Sequence, residues 1–388
     1  MDEGLRWNQD FSLTHGGPLF AILRSMGPLR SGRRNALQLG VACAALAWVP
    51  MMLLGVASWF STAAPPPLMR DPAVHFRLLV AIPLFFLAEV LLEERCASSF
   101  HHVVEGFVRP KEAAVPIAER GVRMRDSRLA EAIFLAIAVG IGQSVLWGVS
   151  RGSGAMEGVE THPTKSAAFV WYATVALPVF QFLLLRSLYR WWIWSRMLID
   201  LSRLDLDLVP THPDLAGGLE IISEPVEGFA VIAFAGSGVV ASTWGYRVAA
   251  QHLDPQSFAS SFVLLVVLMM SLSFGPLFLF SIRLWRVRLE GIREYSEFAR
   301  RYTKGFHDKW IVAATDASPL GSGDIQSLAD LGNSFDRVEH MRFVPFGLRL
   351  AVLVFSVTLA PMLPILAIVK PIPEIVASLG RVLLGGLH

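Results

Sequence analysis

Between two long apolar runs, the segment PTHPDLAGGLEII (210–222) sets an imidazole and a carboxylate two residues apart in a turn rich in proline and glycine. His212 and Asp214 at that spacing can share a cation or pass a proton, since imidazole and carboxylate serve both as metal ligands and as proton carriers. Pro213 stiffens the chain, while Gly217 and Gly218 admit positive φ or a close backbone approach. The same residues also suit a rigid re-entry turn docked on neighbouring helices. One His and one Asp make an incomplete metal site, so the sequence leaves both readings open.

Polar residues inside the apolar runs are the second set of candidates. Glu89, Gln143, Gln181, Ser356 and Thr358 are costly in hydrocarbon and define a candidate intramembrane polar path. Side chains of this kind also serve as hydrogen-bond partners between helices. Glu131 lies at the start of its run, where snorkelling to the interface is the simpler expectation. Pro361 and Pro364 break the last run and free carbonyl groups, which lipid tolerates only where protein or water covers them. A third set, Asp324, Gln326, Ser327 and Asp330, lies in DIQSLADLGNSFDRVEHMR. Leu328, Leu331, Phe335 and Val338 recur there at three- and four-residue intervals, which predicts an amphipathic helix. His101 and Glu105 share a helix face but offer only two ligands. No nucleophile elbow, Walker loop, zincin helix or dinucleotide fingerprint is present. The sequence therefore names no cofactor and no catalytic residue.

These residues must be held by membrane spans. Seven apolar segments, near 36–60, 75–92, 129–149, 168–194, 227–250, 258–282 and 347–369, approach the ~20 residues needed to cross a bilayer. Hydrophobic residues make up 53% of the chain and charged ones 17%, against about 25% charged in soluble domains. A net charge of +2 with no basic aromatic face speaks against a nucleic-acid partner. Cys43 and Cys96 give neither a disulfide framework nor a metal spacing. Arg33 and Arg34 before the first run anchor a retained span. Arg and Lys gather in the N-terminal stretch and in the connections 93–128, 195–226 and 283–346, and are sparse in the alternate ones. By the positive-inside rule this predicts a cytoplasmic N-terminus and a C-terminus on the far side.

Helical spacing continues past the fourth run through Trp191, Trp192 and Trp194, which suit an aromatic belt. It also continues past the sixth run to Trp310, with a kink expected at Pro276. The domain plan is a cytoplasmic segment 1–35, spans one to six over 36–282, a cytoplasmic helical extension 283–346, a last span 347–370, and a non-cytoplasmic amphipathic tail 371–388.

At PTHPDLAGGL, FHDKW and GSGDIQSLADLGNSFDRVEHMRFVPF the chain resembles a group of uncharacterised bacterial polytopic inner-membrane proteins. The resemblance covers roughly residues 30–388 and implies that His212, Asp214, Gly217, Gly218, Asp324, Gln326, Ser327 and Asp330 belong to a shared pattern. It carries no activity to transfer. In topology alone the chain also looks like insect odorant-receptor channels. The expected fold is all-α, a polytopic helical bundle with long helices extending into a cytoplasmic layer. The expected function is a channel or transporter of unknown solute in a bacterial inner membrane. The alternatives are a membrane-embedded enzyme or metal-dependent hydrolase, or a scaffold or sensory protein. The expected partner is the lipid bilayer, with a homo-oligomer allowed.

Overall fold

The computed structural model of the chain describes residues 33–62, 66–150, 166–251, 253–313 and 322–365. Helix α1 (Arg33–Phe60) leads to α2 (Pro72–Phe107), a short α3 (Val115–Arg125) and α4 (Arg128–Ser150). Then follow α5 (Ala167–Leu201), α6 (Glu220–Ala250), α7 (Ala259–Val312), α8 (Gly323–Glu339) and α9 (Leu348–Ile365). Helices α1, α2, α5, α6, α7 and α9 are long and apolar enough to cross a bilayer. The remaining apolar run falls on the 23-residue α4. The described residues contain no strand, only one isolated antiparallel bridge between Val108 and Leu206. The chain is a multi-pass, all-α membrane protein. The N-terminal segment before Arg33, the third connection over 151–165 and the tail over 371–388 lie outside the described residues.

Proline shapes three of the long helices. A proline inside a helix removes one N–H and crowds the carbonyl four residues earlier. In α2 the turn before Pro83 widens to a π-helix over Phe76–Ala81, and in α5 the turn before Pro178 does the same over Tyr172–Ala176. In α7 the kink expected at Pro276 takes the form of a six-residue 3-10 stretch, Gly275–Phe280. These local changes of winding let each helix continue without a break. Asp71 starts α2 by accepting the Ala73 N–H at 2.8 Å, just before Pro72.

Helix α2 is the hub, packed against α1, α5 and α6. Its crossing with α6 is close at Gly228, where an added Cβ would come within 3.0 Å of the Leu92 backbone nitrogen. Phe85, Phe100, Trp194, Phe229 and Phe280 are buried around this axis. In contrast, Leu129 and Leu135 on α4 and Val263 and Leu264 on α7 are exposed. Apolar side chains in such rows face acyl chains, which are as good a solvent for them as a protein core.

The aromatic belt expected on α5 is not formed as such. Trp191 stacks on Phe229 with ring centres 4.6 Å apart and donates to the Leu272 carbonyl at 2.9 Å, and Trp194 is fully buried. Only Trp192 is exposed. Three tryptophans within four positions cannot share one face of a helix with 3.6 residues per turn, so two turn inward and one outward.

Past the bundle, α7 runs on and α8 folds back along it, burying Leu331 and Val338 as the amphipathic pattern requires. At 54 residues α7 is about 80 Å long. The far end of the hairpin is closed by Asp324. Its carboxylate accepts from Lys309 at 2.5 Å and from the Trp310 indole at 3.0 Å, and its carbonyl accepts from Tyr302. Lys309 first and Trp310 second hold the Asp324 carboxyl below its ordinary pKa.

Four charges are tied together inside the bundle. Arg186 of α5 meets Glu89 of α2 at 2.7 Å and lies 3.8 Å from Glu131 of α4. Arg190, one turn on, lies 3.8 Å from Glu89 and donates to the Arg125 carbonyl at 3.3 Å. Glu131 thus does not snorkel; it is buried and shares the Arg186 guanidinium. Two cations and two anions balance, and each guanidinium stitches helices that lipid alone would not hold in register. Arg186→Met removes the 2.7 Å partner of Glu89 from inside the bundle and is expected to cost about 3–5 kcal/mol. Chemical denaturation in detergent measures the loss, and an unchanged midpoint would show that the pair does not hold the helices.

Candidate functional site

The turn between α5 and α6 is built around one carboxylate. Asp214 Oδ1 accepts from the backbone N–H groups of Ala216 at 2.8 Å and Gly218 at 3.0 Å, and Oδ2 accepts from Glu220 N–H at 3.0 Å. His212 Nδ1 lies 2.7 Å from Oδ1. Three of the four N–H donors converge on Oδ1, whose two lone pairs they share, while Oδ2 accepts from Glu220 alone and keeps one acceptor site. The imidazole donates through Nδ1, a tautomer assigned from this network. The longer 3.4 Å approach of Asp214 N to Nδ1 does not compete with it.

Those bonds bend the chain sharply. Leu215 has φ 54°, Gly217 φ 65° and Gly218 φ 96°. Such values disfavour residues with a Cβ, and at Gly218 an added Cβ would also collide with the Phe107 ring of α2. His212 in turn lies edge-on to Phe107, 6.1 Å between centres. The sequence reading of both glycines, positive φ and close approach, is what the turn uses.

Arg342, in the link between α8 and α9, clamps the turn from outside. Its backbone N–H donates to the Leu215 carbonyl at 2.7 Å, and its guanidinium donates to the Asp214 carbonyl at 2.5 Å and lies 3.2 Å from Glu220 Oε2. The link then passes Gly347 and enters α9. A pocket of about 800 Å³ opens between these pieces. His212, Asp214 and Gly218 form one wall, with His102 of α2. Glu220, Glu224 and Glu227 at the start of α6 form the second. Arg349, Leu350, Leu353 and Ser356 of α9 form the third. The volume lies within the ~300–1,000 Å³ usual for small-molecule sites.

Charge is unevenly distributed around the pocket. Arg95 of α2 bridges Glu224 at 2.9 Å and Glu227 at 3.0 Å. Arg349 is exposed and makes no ion pair among the described residues. Burial acts to raise the Asp214 pKa. The hydrogen bonds from Ala216, Glu220 and Gly218, together with His212, outweigh it and hold the carboxyl below its ordinary value.

The structure gathers some of the sequence candidates and scatters others. His212, Asp214, Gly218 and Ser356 meet at this pocket, with Gly217 just behind it. Thr358 is buried and donates to the Val354 carbonyl of its own helix at 2.8 Å. Gln143 is on the exposed side of α4. Glu89 belongs to the ion cluster and Gln181 is half-buried on α5. The intramembrane candidates therefore do not line one path, because their helical phases face different neighbours. Asp324 closes the distal hairpin, while Gln326, Ser327 and Asp330 are exposed on α8. His101 is exposed, and Glu105 pairs with Lys111. Among the described residues no three His, Cys, Asp or Glu gather as a metal-binding group. Sequence reasoning missed Arg342, Arg349 and the Glu220, Glu224, Glu227 row. The i, i+4, i+7 spacing of those three acids at the head of an apolar run was the available signal.

Replacing Asp214 by Asn removes the charge and turns one acceptor into a donor that faces a backbone N–H. The expected cost is about 2–3 kcal/mol, given that hydrogen bonds to charged groups are worth about 1.5–3 kcal/mol. Because the folded pKa is depressed, this stabilisation is complete above the ordinary carboxylate value of about 3.9 and is lost as pH falls through the lower folded value. The stability gap between parent and Asp214→Asn should stay constant from pH 7 to about 5 and close only below about 4. A gap that closes near pH 6 would assign the effect to another group. Gly218→Ala should destabilise the turn by more than the ~1 kcal/mol of a positive-φ penalty alone, since the Phe107 ring must also move; an effect below that in a thermal melt would contradict the packing described.

Compared with protein-family models, curated proteins and solved structures, the chain matches none.

Proposed function

We propose that this chain is a transporter of a small solute, and that the pocket between the Asp214 turn and α9 is its solute site. The carrying observation is that a rigid turn, an acidic row and the last span converge on one cavity of about 800 Å³. A transporter needs a binding site formed where helices meet, with part of its wall on an element free to shift. Helix α9 fits that part, because most of its surface is uncovered and its outer half is interrupted at Pro361 by a 3-10 turn, Ala360–Met362.

The alternation of Arg and Lys supports a cytoplasmic N-terminus and, with it, a proposed pocket on the cytoplasmic side of a bacterial inner membrane. The motifs over residues 210–222 and 323–346 support a place among the bacterial polytopic proteins they resemble. A hydrolase centred on His212 and Asp214 has less support, since Oδ1, the oxygen beside the imidazole, is already shared by two backbone N–H groups and no third His, Cys, Asp or Glu gathers with the pair among the described residues.

Reconstituted in liposomes, the protein should move at least one member of a panel of radiolabelled amino acids, amines and small organic phosphates. Ser356→Trp should abolish that flux by filling the pocket, and Gln143→Ala should leave it unchanged. Absence of flux across the whole panel, with the protein's melting transition intact, would overturn the transporter reading.

A further inference from the structure

We infer that the ligand of this pocket is a zwitterion, carrying an ammonium group for the Glu224–Glu227 wall and an anionic group for Arg349. This rests on the pocket assigned above and names the chemical class it takes. The argument starts from unbalanced charge. Glu220 has Arg342 as its own partner at 3.2 Å. Asp214 has its charge offset by four N–H donors, three on Oδ1 and one on Oδ2. Glu224 and Glu227, however, share the single guanidinium of Arg95. One cation between two carboxylates leaves a net negative charge on the α6 wall. On the α9 wall Arg349 has no carboxylate within ion-pair distance among the described residues, so it leaves a net positive charge.

The two excess charges stand on different helices and do not neutralise each other. At the edge of a bilayer the effective dielectric is below that of water, so each attracts its own counter-charge more strongly than it would on a soluble surface. A simple cation satisfies only α6 and is repelled by Arg349. A simple anion satisfies only α9 and is repelled by the acidic row. A molecule holding both signs satisfies both, and its binding draws α9 and α6 toward one another.

The third wall adds an apolar requirement. Leu350 and Leu353 of α9 line the pocket beside Arg349, and Val352 and Leu353 are 38% and 42% exposed. The cavity wall is therefore continuous with the lipid-facing side of α9. Free phosphoethanolamine and the same group at the head of a phospholipid share the chemistry this site recognises.

The test uses full-length protein in a maltoside detergent. Calorimetry should show O-phosphoethanolamine binding at least about tenfold more tightly than ethanolamine or inorganic phosphate alone. Glu227→Gln and Arg349→Gln should each remove that advantage, and Arg349→Lys should restore part of it. Arg349 is exposed and makes no ion pair among the described residues, so the Arg349 variants should melt with the parent, while Glu227→Gln leaves Glu224 paired with Arg95 and should shift the melt only slightly. The second arm compares nanodiscs of phosphatidylethanolamine with nanodiscs of phosphatidylglycerol. An Arg349-dependent rise in melting temperature in the first, with weak binding of the free compound, would identify the lipid headgroup as the source. The inference is overturned if the free zwitterion binds no better than its halves and phosphatidylethanolamine nanodiscs give no Arg349-dependent rise, or if Arg349→Gln leaves the response in both arms unchanged. Binding without flux would keep the ligand class and remove the transporter reading. Flux of a solute lacking an ammonium group would do the reverse.

Discussion

The Asp214 carboxylate is the constraint on which the basic end of the bundle depends. It satisfies three backbone N–H groups of a turn that bends too tightly to satisfy them with its own carbonyls. Near a membrane, orphaned backbone donors are expensive, so the turn keeps its shape only while that carboxylate is charged and in place. Everything downstream uses the result. Gly218 fits under Phe107, the Leu215 and Asp214 carbonyls are presented outward, and Arg342 takes both. Arg342 in turn fixes where the link into α9 begins. A carboxylate in a loop thus sets the position of the last transmembrane helix.

The buried ion cluster does comparable work where α2, α4 and α5 meet. Lipid gives apolar helices little reason to prefer one neighbour over another, because a leucine is equally well solvated by protein or by acyl chains. Charges remove that indifference. Arg186 can be accommodated only where Glu89 and Glu131 meet it, so α5 has one permitted register against α2 and α4. Close packing, as at Gly228 against Leu92, then refines what the charges select. Polar specificity comes first here and shape second, the reverse of a soluble core.

The membrane spans were legible because their signal is one-dimensional. An apolar run of the right length implies a helix whatever its neighbours, and over their described residues the seven runs fall on helices. The Asp214 turn was also legible, since Asp, Pro and paired glycines have local conformational meanings. What resisted reading was pairwise. Arg186 and Arg190 look like ordinary loop-flanking basics, and Glu131 like an interfacial anchor, until the phases of α2, α4 and α5 are superposed. Trp191 and Trp194 suit an interface by residue type, yet their angular position on α5 turns them to Phe229 and the core. Gln143 is polar in a span but faces outward, so composition alone placed it on a path that the helix rotation excludes.

The pocket follows from the same pairing logic. A gap between helices ordinarily closes when a side chain swings in or the backbone relaxes. Here the turn cannot relax, because its donors are saturated, and Arg342 props the α9 entrance against it. Arg95 holds the first turn of α6 to α2 on the other side. Three fixed supports leave a space that none of them can fill, and the charges used as supports are not matched one to one. The cavity and its unbalanced charge therefore share one cause. The polar groups that rigidify this end of the bundle are distributed for support, and the counter-charges left over face the space they enclose.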